Sequence, residues 1–427
     1  MKILFFNPEQ YVSFDKEPSN YELRLPIINC GIVSSYYDYI YQRILLNEGS
    51  KIMNRKALEI AFDLKPDLII YSTTWDDHSL KRDVIKKITK RKIPVYTHVW
   101  DTLTINRPKE IAWFLDSHYL GIADSVLNYF FYRYHLRFSN ARAVLFTPGH
   151  NVFTDIVKKM NLEKTLDVTL LGSNEGLRVR LIQYLKEKLI AQGIEIHKIG
   201  GLVDDTKTKP EKGLRLTDNW IPWEEYVKTI NKSKICLSSQ TVSYRTQIKG
   251  KVFDILACGT FCLTDRNREI TKIIPDECVG YYTDFEDCYK KIIYYLENEE
   301  EREAIAKKGY EWYHSNFNYK KFWSEFLLSA SEMKENVPTL PILEYEYNRF
   351  LDEKKEDRFF IFLGINPLRL YILRHISILR FILEPFKPIL KRVLNKINET
   401  LGPDYGPKIS GILKKIWYVT LFKGKIF

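Results

Sequence analysis

The sequence predicts an α/β fold in two successive halves, followed by a basic, mostly helical extension. Short apolar, β-branched runs alternate with helical segments of about 10–15 residues, which is the pattern of βαβ units with a parallel sheet. The alternation restarts at Leu166, and the chain of 427 residues is too long for one ordinary hydrophobic core. We therefore expect domains at 1–158 and 159–329 and an extension at 330–427.

Short apolar runs mark the strands of the first half. The runs KILFF, DLIIY, IPVYTHV and AVLF predict strands at 2–6, 67–71, 93–99 and 143–146. The segments between them predict helices at 34–46, 57–64 and 77–90. Ligands bind at the carboxyl ends of such strands, so functional residues are expected there.

The second half has the same organisation. Strands are predicted at 166–172, 194–199 and 234–237. Helices are predicted at 176–192, 223–232, 285–298 and 300–315. Between them, the segment 247–265 predicts a short helix followed by a small-residue turn and a buried strand. The two halves join near residues 151–164.

Positive charge is concentrated in the extension. The formal net charge is +11, and residues 359–427 hold twelve Lys or Arg against three Asp or Glu, which leaves +2 for the rest of the chain. Apolar residues between 386 and 397 follow helical spacing, with basic residues between them. This pattern favours an anionic membrane surface over nucleic acid as a partner of 359–427. Packing of these helices on the core or on another subunit stays open.

Cysteine usage and hydropathy predict the compartment. The six cysteines form no C-x-x-C pair and stand mostly in apolar contexts, so we expect reduced core thiols. The N-terminal MKILFF is too short for a signal peptide, and no apolar run reaches 18 residues. A cytoplasmic protein, which could also lie on the inner face of the membrane, is therefore the expectation.

The segment QIKGKVFDILACGTFCLTD, residues 247–265, is the most informative part of the chain. The glycine between Lys249 and Lys251 lets the backbone approach a phosphate that both ammonium groups bracket. Basic residues at a helix start oppose the helix dipole, and a bound anion offsets that cost. Asp254, one turn later, could accept two vicinal ribose hydroxyls. The same residues could also form a solvated basic loop and an exposed helix face.

Further donor-site candidates lie outside this helix. The Gly172-Ser173 turn ends a strand and leads into a helix, where free N–H groups can face a phosphate. Arg245 adds a cation just before the Lys249 loop. The sequence contains no D-x-D motif, so no metal site is predicted and cations must neutralise a departing diphosphate.

Candidates for a general base lie in the first half. Asp101 follows Trp100 at a strand end, where an acceptor hydroxyl could lie, although it could equally cap the next segment. His150 lies at the crossover between the halves. His98 alternates within a strand and is expected in the core. Asp101 and His150 are therefore the catalytic candidates.

Several segments together resemble the glycosyltransferase group 1 family, and specifically its spore-maturation-protein-like branch. The matching pieces are DVTLLGSNEGLR, SKICLSSQ, QIKGKVFDILACGTFCLTD, the run 284–312 with its EREAIAKKG helix, and NYKKFWSEFL. The first half resembles the family more loosely, through KPDLIIYS and a strand ending in Asp101. The resemblance covers about three quarters of the chain.

The resemblance implies a GT-B fold, in which two Rossmann-like domains face each other across a cleft. A nucleoside-diphosphate sugar would bind the second domain as substrate, with no cofactor, and a glycan or lipid-linked acceptor the first. Lys249 and Lys251 take the family's diphosphate positions, Gly172 and Ser173 its glycine-rich loop, and Asp254 the place of a ribose-binding Glu.

The expected activity is sugar transfer to a hydroxyl, metal-independent and hexosyl-type, in cell-surface polysaccharide synthesis. Related retaining families have a second Glu where this chain has Thr246, so the stereochemical outcome stays open. Alternatives are a GT-B-like sugar epimerase or phosphorylase, or a non-enzymatic protein that binds a membrane surface.

Overall fold

The structure is a computed structural model of the full chain. It describes residues 1–8, 23–73, 79–99, 116–122, 142–146, 152–172, 177–199, 223–240, 249–267 and 270–338. In these ranges the strands form two sheets, and every strand pairing is parallel. The predicted α/β class with two Rossmann-like domains is therefore confirmed. The predicted extension falls almost wholly outside the described residues.

Among the described residues, the first sheet contains six strands in the order β2-β1-β3-β4-β5-β6. The strands are β1 (Lys2–Asn7), β2 (Ser35–Ile40), β3 (Leu68–Ser72), β4 (Val95–Val99), β5 (Tyr119–Ile122) and β6 (Ala143–Phe146). The helices described in this half are α1 (Arg24–Ile28), α2 (Tyr41–Leu64) and α3 (Arg82–Lys90). Central strands such as β3 are buried along their whole length, as their continuous apolar sequence predicts.

The predicted helix at 34–46 is wrong in its first half. Residues 35–40 form β2, which pairs in parallel with β1 at the edge of the sheet, and the helix begins at Tyr41. The segment SYYDYI is rich in tyrosine, which suits a strand, and its exposed edge position gives it a polar pattern that resembles a helix. The predicted helix at 57–64 forms the last part of α2, whose helical geometry is interrupted at Gly49 (φ 84°).

The second sheet, as far as the structure describes it, contains five strands in the order β11-β10-β9-β7-β8. They are β7 (Leu166–Leu171), β8 (Ile196–Ile199), β9 (Ser233–Ser238), β10 (Phe261–Asp265) and β11 (Gly280–Tyr282). The helices are α4 (Leu177–Ile190), α5 (Trp223–Lys232), α6 (Gly250–Ala257), α7 (Ile270–Ile273), α8 (Phe285–Glu297), α9 (Glu299–Asn316) and α10 (Tyr319–Ser331). The predicted strands and helices of this half are thus found, with ends shifted by one to two residues.

The last described helix, α10, contacts the first sheet. Phe326 lies edge-on against Tyr96 of β4 and Tyr119 of β5, with ring centroids 5.2 and 5.8 Å apart. The Tyr119 hydroxyl donates to the carbonyl of Lys334 at 2.6 Å, just beyond the helix. The predicted boundary at 329/330 falls inside this helix, and the domain limits stay a prediction.

The cysteines lie in the core. All six are buried, so their predicted core location is confirmed, whereas their reduced state stays a prediction. Burial raises the pKa of the Cys236 thiol to about 12. Within the described ranges, no helix is long and apolar enough to cross a membrane.

Candidate functional site

The structure describes half of the predicted site residues. Those within the described ranges are Gly172, Lys249, Lys251 and Asp254. Those that lie outside them are Asp101, Ser173, His150 and Arg245. The predicted donor site can therefore be examined in part, whereas both catalytic candidates stay predictions.

Helix α6 places the predicted donor residues at its first turn. Lys249 is the N-cap residue, with extended backbone (φ −78°, ψ 127°), and its side chain makes no cap hydrogen bond. Every residue of the helix except Lys251 is buried, so the helix packs on all sides. The turn after it needs Gly259, which has φ +65° and donates its N–H to the carbonyl of Leu256 at 2.9 Å. This short path brings α6 directly back into β10.

Gly172 lies against two cations at the carboxyl end of β7. Its φ of +128° is accessible to glycine but strained for other residues. A Cβ atom at this position would overlap the Lys251 ammonium and lie 2.8 Å from a guanidinium nitrogen of Arg178. The Lys251 ammonium also donates to the carbonyl of Leu171 at 3.0 Å. The absence of a side chain at Gly172 is therefore what lets both cations approach this turn.

Arg178 and Lys198 extend this group of cations. Arg178 is 3% exposed and lies in the first turn of α4, and its Nε donates to the carbonyl of Ser239 at 3.0 Å. Lys198 lies on the neighbouring strand β8. Its partial burial, together with the charge of Arg178, lowers its pKa to about 8. The smaller contribution of Arg178 to this shift shows that Lys198 lies in a positive field, which favours a bound anion.

Asp254 is buried and hydrogen-bonded to a residue from another helix. Only 4% of its surface is exposed, and its Oδ2 accepts a hydrogen bond from the hydroxyl of Tyr226 on α5 at 2.9 Å. Burial raises its pKa to about 7, against the opposing effects of the Tyr226 hydrogen bond and the Lys251 charge. The interpretation of Asp254 as an exposed helix-face residue is therefore wrong, because α6 has no exposed face here.

A second carboxylate, Asp265, lies at the end of β10. Its Oδ1 accepts the backbone N–H of Gln240 at 2.9 Å, and its Oδ2 accepts from Asn267 at 3.2 Å. Burial raises its pKa, and the positive charge of Lys249 opposes that shift. Asp265 therefore ties the ends of β9 and β10 together beside the N-terminus of α6.

These groups converge because parallel strands end at one edge of the sheet. Gly172, Lys198, Ser239 and Asp265 come from the carboxyl ends of β7, β8, β9 and β10, where α/β proteins bind ligands. Arg178 and Lys251 can face a diphosphate at this edge, and the carboxylate of Asp254 can face a diol. The arrangement can hold an anionic nucleotide.

His98, a histidine near the predicted catalytic candidate Asp101 in the sequence, lies in the first sheet. His98 on β4 is 3% exposed, and its Nδ1 lies 2.9 Å from the hydroxyl of Tyr96. A Cβ atom on Gly121 of β5 would overlap that tyrosine hydroxyl. The prediction that His98 is a core histidine is confirmed.

Sequence reasoning missed three residues of this site: Arg178, Lys198 and Tyr226. A signal for Arg178 was present, because a basic residue in the first turn of a helix opposes the helix dipole. Lys198 and Tyr226 gave no such signal. Their proximity to the other residues follows from the strand order and from the packing of α5, which spacing along the chain does not reveal.

The family comparison covers most of the second half. Residues 178–327 match the family described as glycosyl transferase-like. The match runs from the first turn of α4 into α10 and includes all of α5 and α6. It confirms the resemblance to glycosyltransferases, whereas the resemblance to the spore-maturation-protein-like branch stays a prediction. No curated protein matches the sequence.

Comparison with solved structures finds several similar chains. HepE (Alr3699) of Anabaena in complex with UDP-glucose is 12% identical, with a TM-score of 0.51 over 77% of this chain and 100% of that chain. Sucrose-phosphate synthase (tll1590) from Thermosynechococcus elongatus is 14% identical, with a TM-score of 0.46 over 69% and 79%. UDP-GlcNAc 2-epimerase from Neisseria meningitidis is 13% identical, with a TM-score of 0.43 over 78% and 98%. The similarity to HepE confirms the predicted GT-B fold.

Proposed function

We propose that the protein transfers a sugar from a nucleoside-diphosphate sugar to a hydroxyl of a glycan or lipid-linked acceptor, in the synthesis of a cell-surface polysaccharide. The observation that carries this proposal is the approach of Lys251 and Arg178 to Gly172, with Lys198 in the field of Arg178. The glycosyl transferase-like match over the same half of the chain supports the reaction class.

The grouped cations are understandable if they bind a diphosphate. Like charges brought together repel each other, and partial burial raises that cost because water screens them less. A diphosphate placed among them offsets the repulsion with charge-assisted hydrogen bonds. Lys249, at the N-terminus of the same helix as Lys251, would add a further cation. Asp254 would then accept a hydrogen bond from the ribose.

The same cations would promote the reaction. Sugar transfer leaves a diphosphate whose negative charge grows as the glycosidic bond breaks, and fixed cations stabilise that charge. The chain has no D-x-D motif for a bridging metal, so we propose metal-independent hexosyl transfer. Asp101 and His150 are the proposed groups for removing the acceptor proton, and the first domain is the proposed acceptor side.

The direct test is nucleotide binding by the double variant Lys249→Ala, Lys251→Ala. HepE holds UDP-glucose, so uridine diphosphate sugars are the first donors to examine, followed by guanosine and adenosine donors. Loss of two charge-assisted phosphate contacts is expected to weaken donor binding by about 100-fold or more, as measured by calorimetry. Chromatography of the products separates sugar transfer from epimerisation.

A matched control removes two lysines elsewhere in the same half. Lys290 and Lys307 are 70% and 75% exposed and lie beside Glu286 and Glu311. The Lys290→Ala, Lys307→Ala variant changes the net charge equally and is expected to bind the donor as the unsubstituted protein does. Equal binding and turnover in the two double variants would rule out the proposed donor site.

We also propose that residues 359–427 attach the protein to an anionic membrane surface. Their +9 charge and interleaved aliphatic residues support this proposal. The protein is expected to sediment with vesicles that contain anionic lipid, and truncation at residue 358 is expected to abolish sedimentation. Failure of the full chain to sediment would reject a membrane-bound location.

A further inference from the structure

Tyr226 connects α5, on which it lies, to α6, the later helix that carries Lys251 and Asp254. Its hydroxyl donates to Asp254 Oδ2 at 2.9 Å, from α5 to α6. Trp223, one turn earlier on α5, lies edge-on against the Tyr226 ring, with centroids 5.1 Å apart and an interplanar angle of 82°. The tyrosine is therefore held by packing as well as by the carboxylate.

The two carboxylate oxygens of Asp254 differ in their hydrogen bonding. Its Oδ2 is occupied by Tyr226, whereas Oδ1 receives no hydrogen bond from any residue in the described ranges. Each carboxylate oxygen can accept two hydrogen bonds, so Oδ1 keeps the capacity to accept one from a ligand. The remaining acceptor lies in the helix that carries Lys251, one turn from the cations that surround Gly172.

We propose that Tyr226 is a positioning residue for the donor: it fixes Asp254 through Oδ2, so that Oδ1 accepts a hydroxyl of the ribose. The inference rests on the proposed donor binding and adds to it a residue and a specificity. The site would distinguish ribonucleotides from deoxyribonucleotides through Asp254, and Tyr226 would determine how strongly it does so.

The ionisation of Asp254 gives the inference a second readout. Within the described ranges, four neighbouring groups interact with this carboxylate: Tyr226 on α5, Lys251 on α6, Cys258 after α6 and Tyr313 on α9. Burial raises the pKa of Asp254 to about 7, and the Tyr226 hydrogen bond lowers it from a still higher value. An ionised carboxylate accepts more strongly, so discrimination for the ribose is expected to rise as pH increases through neutrality.

The experiment measures binding of UDP and of 2′,3′-dideoxy-UDP by calorimetry at several pH values between 6 and 9. Both nucleotides carry the same diphosphate, so the ratio of their affinities isolates the ribose contact from phosphate titration. If GDP or ADP binds more tightly than UDP, the same pair is made with that base. The unsubstituted protein is expected to prefer the ribonucleotide by about tenfold at pH 8 and by less at pH 6.

The variant Tyr226→Phe removes one hydroxyl and keeps the ring. It is expected to lower the ribose preference about three- to tenfold at pH 7 and to move the midpoint of the pH dependence upward. Its affinity for dideoxy-UDP is expected to stay unchanged, which shows that the site is folded. Tyr184→Phe is the matched control, because its hydroxyl also donates to a carboxylate, that of Glu286, on the surface of the same half.

The outcomes separate the inference from the proposed function. An unchanged ribose preference and midpoint in Tyr226→Phe, with normal nucleotide binding, would overturn the role of Tyr226 alone. A similar change in Tyr184→Phe would overturn it too, because the effect would then not be specific to Asp254. Failure of the unsubstituted protein to bind UDP, GDP or ADP would overturn the donor site and this inference together.

Discussion

Buried charge is handled differently in the two halves of the molecule. In the first half, Arg24 and Asp38 form an ion pair at 2.7 Å with side chains 5% and 15% exposed, and Asn7 donates a further hydrogen bond to the carboxylate. In the second half, Lys251 and Arg178 lie against Gly172, and Lys198 lies in the field of Arg178. The ion pair of the first half stabilises the folded state. The group of like charges in the second half is understandable as a binding site for an anion.

The largest expected effect comes from removing one charge from each arrangement. Arg24→Met would leave Asp38 buried without its cation and is expected to lower the free energy of unfolding by about 3–5 kcal/mol. Lys198→Met is expected to raise it by about 1–2 kcal/mol at pH 7, because folding lowers the pKa of this partly exposed lysine. Urea denaturation measures both.

The change in unfolding free energy caused by Lys198→Met is expected to depend on pH. A lysine whose pKa is lowered to about 8 on folding penalises the folded state below that pH, and the penalty fades as pH rises toward the ordinary value of 10.5. The stability gain of Lys198→Met should therefore shrink above pH 8. Destabilisation by Lys198→Met at pH 7 would contradict the proposed repulsion, and Lys290→Met serves as the exposed control.

Substitutions at two glycines are expected to affect different properties, nucleotide binding at Gly172 and stability at Gly121. Gly172→Ala would push a methyl group into the Lys251 ammonium and is expected to weaken nucleotide binding by about 100-fold. Gly121→Ala would press against Tyr96 and His98 in the first sheet and is expected to cost about 1–3 kcal/mol of stability. Calorimetry and thermal unfolding of both variants test this. Nucleotide binding that weakens equally in both would erase the distinction between the halves.

Asp254 gives a smaller effect that depends on pH. Folding raises its pKa from 3.8 to about 7, so its stabilising contribution is present at acid pH and is lost as pH rises through 7. Asp254→Asn removes this loss. We expect the variant to gain about 2 kcal/mol in unfolding free energy, relative to the unsubstituted protein, between pH 5 and pH 8. A difference that stays constant over that interval would show that Asp254 ionises normally.

The smallest effect concerns a feature that the two sheets share. The hydroxyls of Thr97 and Ser117 lie 2.6 Å apart in the first sheet, and those of Thr169 and Ser233 lie 2.6 Å apart in the second. All four residues are fully buried. Thr97→Val and Thr169→Val are each expected to cost about 1 kcal/mol, with nucleotide binding unchanged. A much larger loss of stability in one of the two variants would mean that the two sheets differ in their packing as well as in their charges.

The sequence was sufficient for the fold class because buried parallel strands are continuous apolar runs bounded by helices. It failed at β2, where tyrosines and polar residues lie on an exposed sheet edge, and at β5, where YLGI is too short to stand out. Lys249, Lys251 and Asp254 were found because they lie within six residues of one helix start. Tyr226 was not, because it precedes Asp254 by 28 residues.

The contact of α10 with the first sheet has a consequence for biosynthesis. Tyr96 and Tyr119 leave the ribosome early, but the ring of Phe326 that packs on both comes more than 200 residues after either of them. The first sheet therefore stays partly uncovered while the whole donor half is being translated. Such an intermediate exposes aromatic surface and is the stage at which a chaperone would be needed most. The half of the chain that is made first is completed last.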